Sequence, residues 1–210
     1  MQIVTPAESI VNPLPDSISR ARKTAEHAIE IDPASQMGWE FLADACYFAR
    51  DLPAFRSAAD RTITLNPLNA SALALLAMRI AYSGEWERGM ALMQEAMELN
   101  SQHPGWYHFV AFHDHYRKSE YEESLEAAKR INMPESLWTH AVTAACCGRL
   151  GRRDEGRVAL ENLKRFFPDY PDGVRAVMDR WVLDSNVVDL LMEGLVAAEE
   201  LTAPTHKVGP

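Results

Sequence analysis

The stretch "ITLNPLNASALALLAM", residues 63–78, ends one apolar run on Leu-Asn-Pro and starts another at once. The phrase returns in "IEIDPASQMGWEFLAD", residues 29–44, and in "MELNSQHPGWYHF", residues 97–109. Pro33 to Pro67 is 34 residues, and Ser101 follows Pro67 by 34 more. A fixed period of that length is the mark of a helical repeat array, in which each unit buries its apolar face only by stacking on its neighbours.

Inside each unit the small and apolar residues recur at helical spacing, which predicts two amphipathic helices per unit. Ala21, Ala25 and Ala28 share one face ahead of Pro33, which cannot continue a helical hydrogen-bond ladder. Helices are expected near 17–31, 36–49, 53–65, 70–83, 86–99, 104–117, 121–131, 136–149 and 153–166, with two more near 173–182 and 186–200. No segment alternates with period two over a strand length, so the fold class is all-α.

Trp39 and Leu42 in one unit, Leu73, Leu76, Gly84, Trp86 and Ala96 in the next, and Gly151, Leu160, Leu163 and Pro168 in the last resemble the tetratricopeptide repeat. Cys46 and Cys147 stand where that pattern prefers tyrosine, and Phe55 and Gly89 where it prefers alanine. In the fourth unit Tyr121 falls 35 residues after Trp86, which leaves the register of its first helix open by one residue. The resemblance implies a right-handed superhelix of antiparallel helix pairs, with about four full repeats, a leading helix and C-terminal capping helices. Residues 17–168 form the array, 169–201 the caps, 1–16 an extended segment and 202–210 a disordered tail. The leading helix lacks a partner, because Pro6, Pro13 and Pro15 keep residues 1–16 from supplying one. Either "IVTPAESIV" covers that face or the chain packs against, or was cut from, a larger assembly, and the second is the working expectation.

Further stretches resemble the C-terminal tetratricopeptide region of bacterial class III adenylate/guanylate cyclases and related winged-helix regulators. The most particular are Pro104-Gly105-Trp106-Tyr107 and Ile131-Asn132-Met133-Pro134. This second resemblance implies a regulatory module in signal transduction whose output domain lies N-terminal to the chain.

Composition narrows the partners. The chain has 210 residues, with 21 Lys plus Arg against 30 Asp plus Glu, and the resulting net charge of −9 argues against nucleic acid and anionic lipid. No apolar run approaches the length of a membrane span, and the N-terminus does not read as a signal peptide, so a cytoplasmic location is expected. Cys146 and Cys147 diverge on a helix and read as reduced packing residues. His103, His108, His113 and His115 invite a metal, yet no cysteine or carboxylate pair completes a ligand set at recognisable spacing. "GRLGRRDEG" is an inter-helix turn rather than a phosphate loop. No cofactor, metal or catalytic residue is expected, and the chain reads as a non-enzyme.

What the family resemblance implies is a groove lined by the first helix of each unit. Carried onto this sequence, the groove residues are Met37, Glu40, Asp44 and Tyr47, then Met78 and Tyr82, then Trp106, Phe109, His113 and Tyr116. The expected partner is a protein or peptide, basic with an apolar anchor to suit Glu40 and Asp44. A homo-oligomer formed through the N-terminal helix is the other expectation. Trp39 is expected to wedge, buried, between helices.

Overall fold

A computed structural model describes residues 16–134, 136–167 and 169–203. The expectations for residues 1–15 and for the tail from 204 onward lie outside the described residues. Eleven α-helices occur among the described residues. The first five are α1 (Ser17–Ile31), α2 (Gln36–Phe48), α3 (Leu52–Leu65), α4 (Ala70–Tyr82) and α5 (Trp86–Leu99). A 3-10 turn (Gly105–Tyr107) then leads into α6 (His108–Arg117), followed by α7 (Tyr121–Ile131), α8 (Leu137–Leu150) and α9 (Arg153–Phe166). The last two are α10 (Asp172–Trp181) and α11 (Ser185–Thr202).

The repeated phrase, Asp32-Pro33, Asn66-Pro67 and Asn100-Ser101, is a connector from a second helix to the next first helix. The N–H groups of Asp32, Asn66 and Asn100 close the preceding helices on the carbonyls of Ala28, Thr62 and Ala96. Their side chains then accept from the N–H two residues on, at Ala34, Leu68 and Gln102. Such Asx turns satisfy backbone groups that the helix end leaves unpaired. Ser35 and Asn69 next cap α2 and α4 by accepting from Gly38 and Ala72.

The turn inside each pair has its own device. Asp51, Glu85, Glu120 and Arg152 donate their N–H five residues back, to Cys46, Ile80, His115 and Cys147. The residue before each donor (Arg50, Gly84, Ser119 or Gly151) has positive φ, a left-handed helix stop. The step from Gly84 to Ser119 is one residue longer than that from Arg50 to Gly84, which fixes the fourth unit in the register that Tyr121 indicates.

Within pairs α2 packs on α3, α4 on α5, α6 on α7 and α8 on α9, while α1 packs on α2. Gly89 lets α5 close on α4, since a Cβ there would lie 2.6 Å from the Ala81 Cβ. Gly105 does the same between the two motifs singled out in sequence: a Cβ on it would come within 1.8 Å of the Ile131 carbonyl oxygen. Buried Leu76, Ile80, Phe112, Leu125, Val142 and Leu163 carry one continuous core along the array.

Trp39 departs from expectation. It is packed against the core but only partly buried, and it donates its indole N–H to the Pro33 carbonyl, so it also braces its own connector.

A groove partly filled by its own C-terminal helices

The first helices of the units, α2, α4, α6 and α8, present one side on which α10 and α11 lie. α11 packs mainly on α8 and α9 and reaches α6. Its approach to α8 is backbone to backbone, because a Cβ on Gly148 would lie 2.3 Å from the Gly194 carbonyl oxygen. The chain between α10 and α11 crosses the ends of three successive units. The Tyr47 hydroxyl donates to the Trp181 carbonyl at 2.5 Å. The Tyr82 carbonyl accepts from the N–H groups of Leu183 and Asp184 at 2.8 and 3.0 Å. The Trp86 indole donates to the Asp184 carboxylate at 2.8 Å, and the Tyr116 hydroxyl to the Leu190 carbonyl at 3.3 Å.

This crossing decides where the expected groove residues stand. Tyr47, Tyr82, Phe109, His113 and Tyr116 are buried, so they are not open to a partner as expected. The returning chain takes the hydroxyl hydrogen bonds of Tyr47 and Tyr116 and the main-chain carbonyl of Tyr82, while Phe109 and His113 line a pocket that Trp181 and Val182 help to wall. Asp44 is not a free acid either. It holds the Arg79 guanidinium at 2.8 Å, and Arg79 is only 3% exposed, stacked about 5 Å from the rings of Tyr47, Phe48 and Trp181. Glu40 is partly buried, and burial first, then the nearby Asp44 charge, raise its pKa. The acidic face read from sequence is therefore one half-buried carboxyl beside a paired one.

Two spaces remain. The outer one is a groove of about 740 Å³ between α1, α2 and the end of α10. From α2 it is lined by Met37, Phe41, Asp44 and Phe48, spaced four, three and four apart on one helix face. From α1 it is lined by Ala21, Ala25 and Ala28, of which Ala25 is buried, Ala28 half-buried and Ala21 exposed. Met37 is 63% and Phe41 55% exposed. Neither Glu40 nor Tyr47 lines it, because the stripe runs one step to the side of the expected one. Phe41 went unread in sequence, though its four-residue spacing from Met37 marks the same face.

The inner space is a pocket of about 150 Å³ walled by Met78, Tyr82, Trp106, Phe109 and His113 from the array, with Trp138 of α8 and Trp181 and Val182 of the returning chain. His113 is fully enclosed, and burial pushes its pKa down to about 4. Its Nδ1 lies 2.7 Å from the Phe109 carbonyl and 3.0 Å from the Tyr82 hydroxyl.

Cys46, Cys146 and Cys147 are buried free thiols, and burial raises the last two to about 12 and about 11. Among the described residues no group of three or more His, Cys, Asp or Glu side chains is placed to share a metal. No helix among them is long and apolar enough to cross a membrane.

No family model matches the sequence, and no curated protein matches it. Solved structures do. PilW, a type IV pilus biogenesis factor, is similar over 89% of this chain and 83% of its own, with a TM-score of 0.67 and 11% identity. YrrB, a TPR protein with an unusual peptide-binding site, is similar over 88% of this chain and 95% of its own, at a TM-score of 0.56 and 13% identity. The fold is an all-α tetratricopeptide-repeat array. Human IFIT1, solved as a dimer with m7Gppp-AAAA, is similar over 93% of this chain and 47% of its own, at a TM-score of 0.54 and 19% identity.

Proposed function

We propose that this tetratricopeptide-repeat array is a non-catalytic, cytoplasmic protein-interaction module that takes a partner segment in the outer groove between α1 and α2. The observation that carries the reading is the exposed pair Met37 and Phe41 in a groove of about 740 Å³ that Ala21, Ala25 and Ala28 also line. Apolar side chains at this exposure, gathered in one concave place, gain by burying a partner's anchor. The net charge of −9 favours a basic partner through steering, with Glu40 beside the groove. The unusual peptide-binding site of YrrB is a precedent on the same fold.

The oligonucleotide of the IFIT1 structure belongs to that protein; here the acidic balance opposes a phosphate backbone. The narrower reading, a regulatory region attached to a nucleotide cyclase or transcription regulator, rests on the sequence stretches around Trp106 and Asn132 alone. The structural neighbours do not favour it.

A photocrosslinking side chain at Phe41 tests the proposal in cells that express the chain. The expected result is an adduct to another protein that disappears in a Met37→Asp background whose melting temperature is unchanged. Undiminished adducts in the folded variant, or adducts only to a second copy through α1, would contradict docking of a partner segment in this groove.

A further inference from the structure

The inner pocket contains a polar atom that the fold leaves unanswered. The Phe109 carbonyl can only accept, so at 2.7 Å the proton of the His113 imidazole sits on Nδ1. Nε2 then carries a bare lone pair, and it is buried without a hydrogen-bond partner. The indole N–H of Trp181, which also lines this pocket, is likewise buried and unpartnered. A buried acceptor and a buried donor each left unpaired forfeit hydration with no bond to offset the loss, so such atoms call for an explanation. The Phe109 carbonyl and the Tyr82 hydroxyl account for the Nδ1 side of the ring; nothing in the array accounts for the Nε2 side.

We propose that this pocket is a binding site for a single neutral phenolic ring, whose hydroxyl donates to His113 Nε2 and accepts from the Trp181 indole N–H. A hydroxyl is the small group that answers both orphans at once. The aromatic residues Tyr82, Trp106, Phe109 and Trp138 line the pocket, and about 150 Å³ is the size of cavity that accepts one benzene ring. No carboxylate lines the pocket, and the Arg79 guanidinium stacks on the Trp181 ring at 4.8 Å, which disfavours a cationic ligand. The site shares only Trp181 with the outer groove and stands independently of partner docking there. The ring has two sources, a free small molecule or a tyrosine side chain of a partner.

The test is calorimetric titration of the full chain with phenol, anisole and N-acetyl-tyrosinamide, with the imidazole nitrogens followed by NMR. Phenol is expected to saturate one site at least tenfold more tightly than anisole, which keeps the ring and loses the donor. The His113 Nε2 resonance should move on binding, and in His113→Phe phenol should lose its advantage over anisole. Capped tyrosine binding as well as phenol assigns the site to a partner's side chain; phenol alone assigns it to a small molecule. Equal affinity for phenol and anisole in the wild type, or no saturation with an unmoved Nε2 resonance because only water occupies the pocket, would overturn the proposal. The wild-type comparison decides even if the variant does not fold.

Discussion

The Tyr47 hydroxyl, at the end of α2, donates to the main-chain carbonyl of Trp181, 134 residues later in the chain. That bond ties the second unit of the array to the helix that follows the last one, and it is buried on the tyrosine side. Tyr47→Phe keeps the ring packed on Phe48 and Phe55 and removes only the donor. The expected loss is about 1 kcal/mol in a denaturant melt, the usual net worth of such a bond. An unchanged midpoint would show that α10 does not rest on this tyrosine.

Asp44 and Arg79 set a second expectation. Asp44→Ala strands a guanidinium that is 3% exposed. A fully buried pair broken on one side costs about 3–5 kcal/mol. Because Asp44 itself is 33% exposed, water offsets part of that, and a loss of roughly 2 kcal/mol is expected. Loss of both charges in Asp44→Ala with Arg79→Met should restore part of the stability. The sequence pattern alone treats Asp44 as a groove acid facing a basic partner, a role in which its replacement would not strand Arg79; the melt separates the two views.

Gly148→Ala probes the seat of α11. The added methyl would meet the Gly194 carbonyl and the Ala198 backbone, none of which can swing aside as a side chain does. Overpacking of this kind costs about 1–3 kcal/mol. The loss should appear together with faster amide exchange throughout α11, while α2 to α5 keep their protection.

His113 makes stability depend on pH. Its folded pKa of about 4 lies below the ordinary 6.5, because burial penalises the charged ring. Between these values the unfolded chain binds the proton and the folded chain does not, so stability rises with pH across the window. The contribution is fully present above about pH 6.5 and is lost as pH falls toward 4, on the order of 3 kcal/mol in all. His108, whose pKa burial also lowers, adds in the same direction. His113→Phe should therefore flatten most of the slope of unfolding free energy between pH 6.5 and 4. A slope as steep as that of the wild type would place the titration elsewhere.

The helices were legible because the signals that set them are local. The Asx-Pro connectors, the Ala21, Ala25 and Ala28 stripe and the Gly84 and Gly151 stops each act within a few residues, and a 34-residue period repeats them. The covering of Tyr47, Tyr82 and Tyr116 was not legible. It depends on α10 and α11 returning over the array, and their own sequence says only that they are amphipathic. Trp181 and Val182 could not be joined to Met78 and Phe109 by any spacing rule, since residues roughly seventy to a hundred positions apart share no period. The register slip that put Glu40 and Tyr47 in the outer groove in place of Phe41 and Phe48 has the same origin. A rule for which helix positions face the groove assumes an open groove, and here α10 turns that face into a packed one.

The return of the C-terminal chain onto the array is the central claim, and two amides report it directly. Leu183 and Asp184 both donate to the Tyr82 carbonyl, and neither bond exists unless the α10–α11 connection lies across the third unit. Hydrogen–deuterium exchange of these two N–H groups, resolved by NMR at neutral pH, should show protection comparable to that of amides in the middle of α4. Exchange at the rate of an unstructured connection, with α4 still protected, would contradict the account.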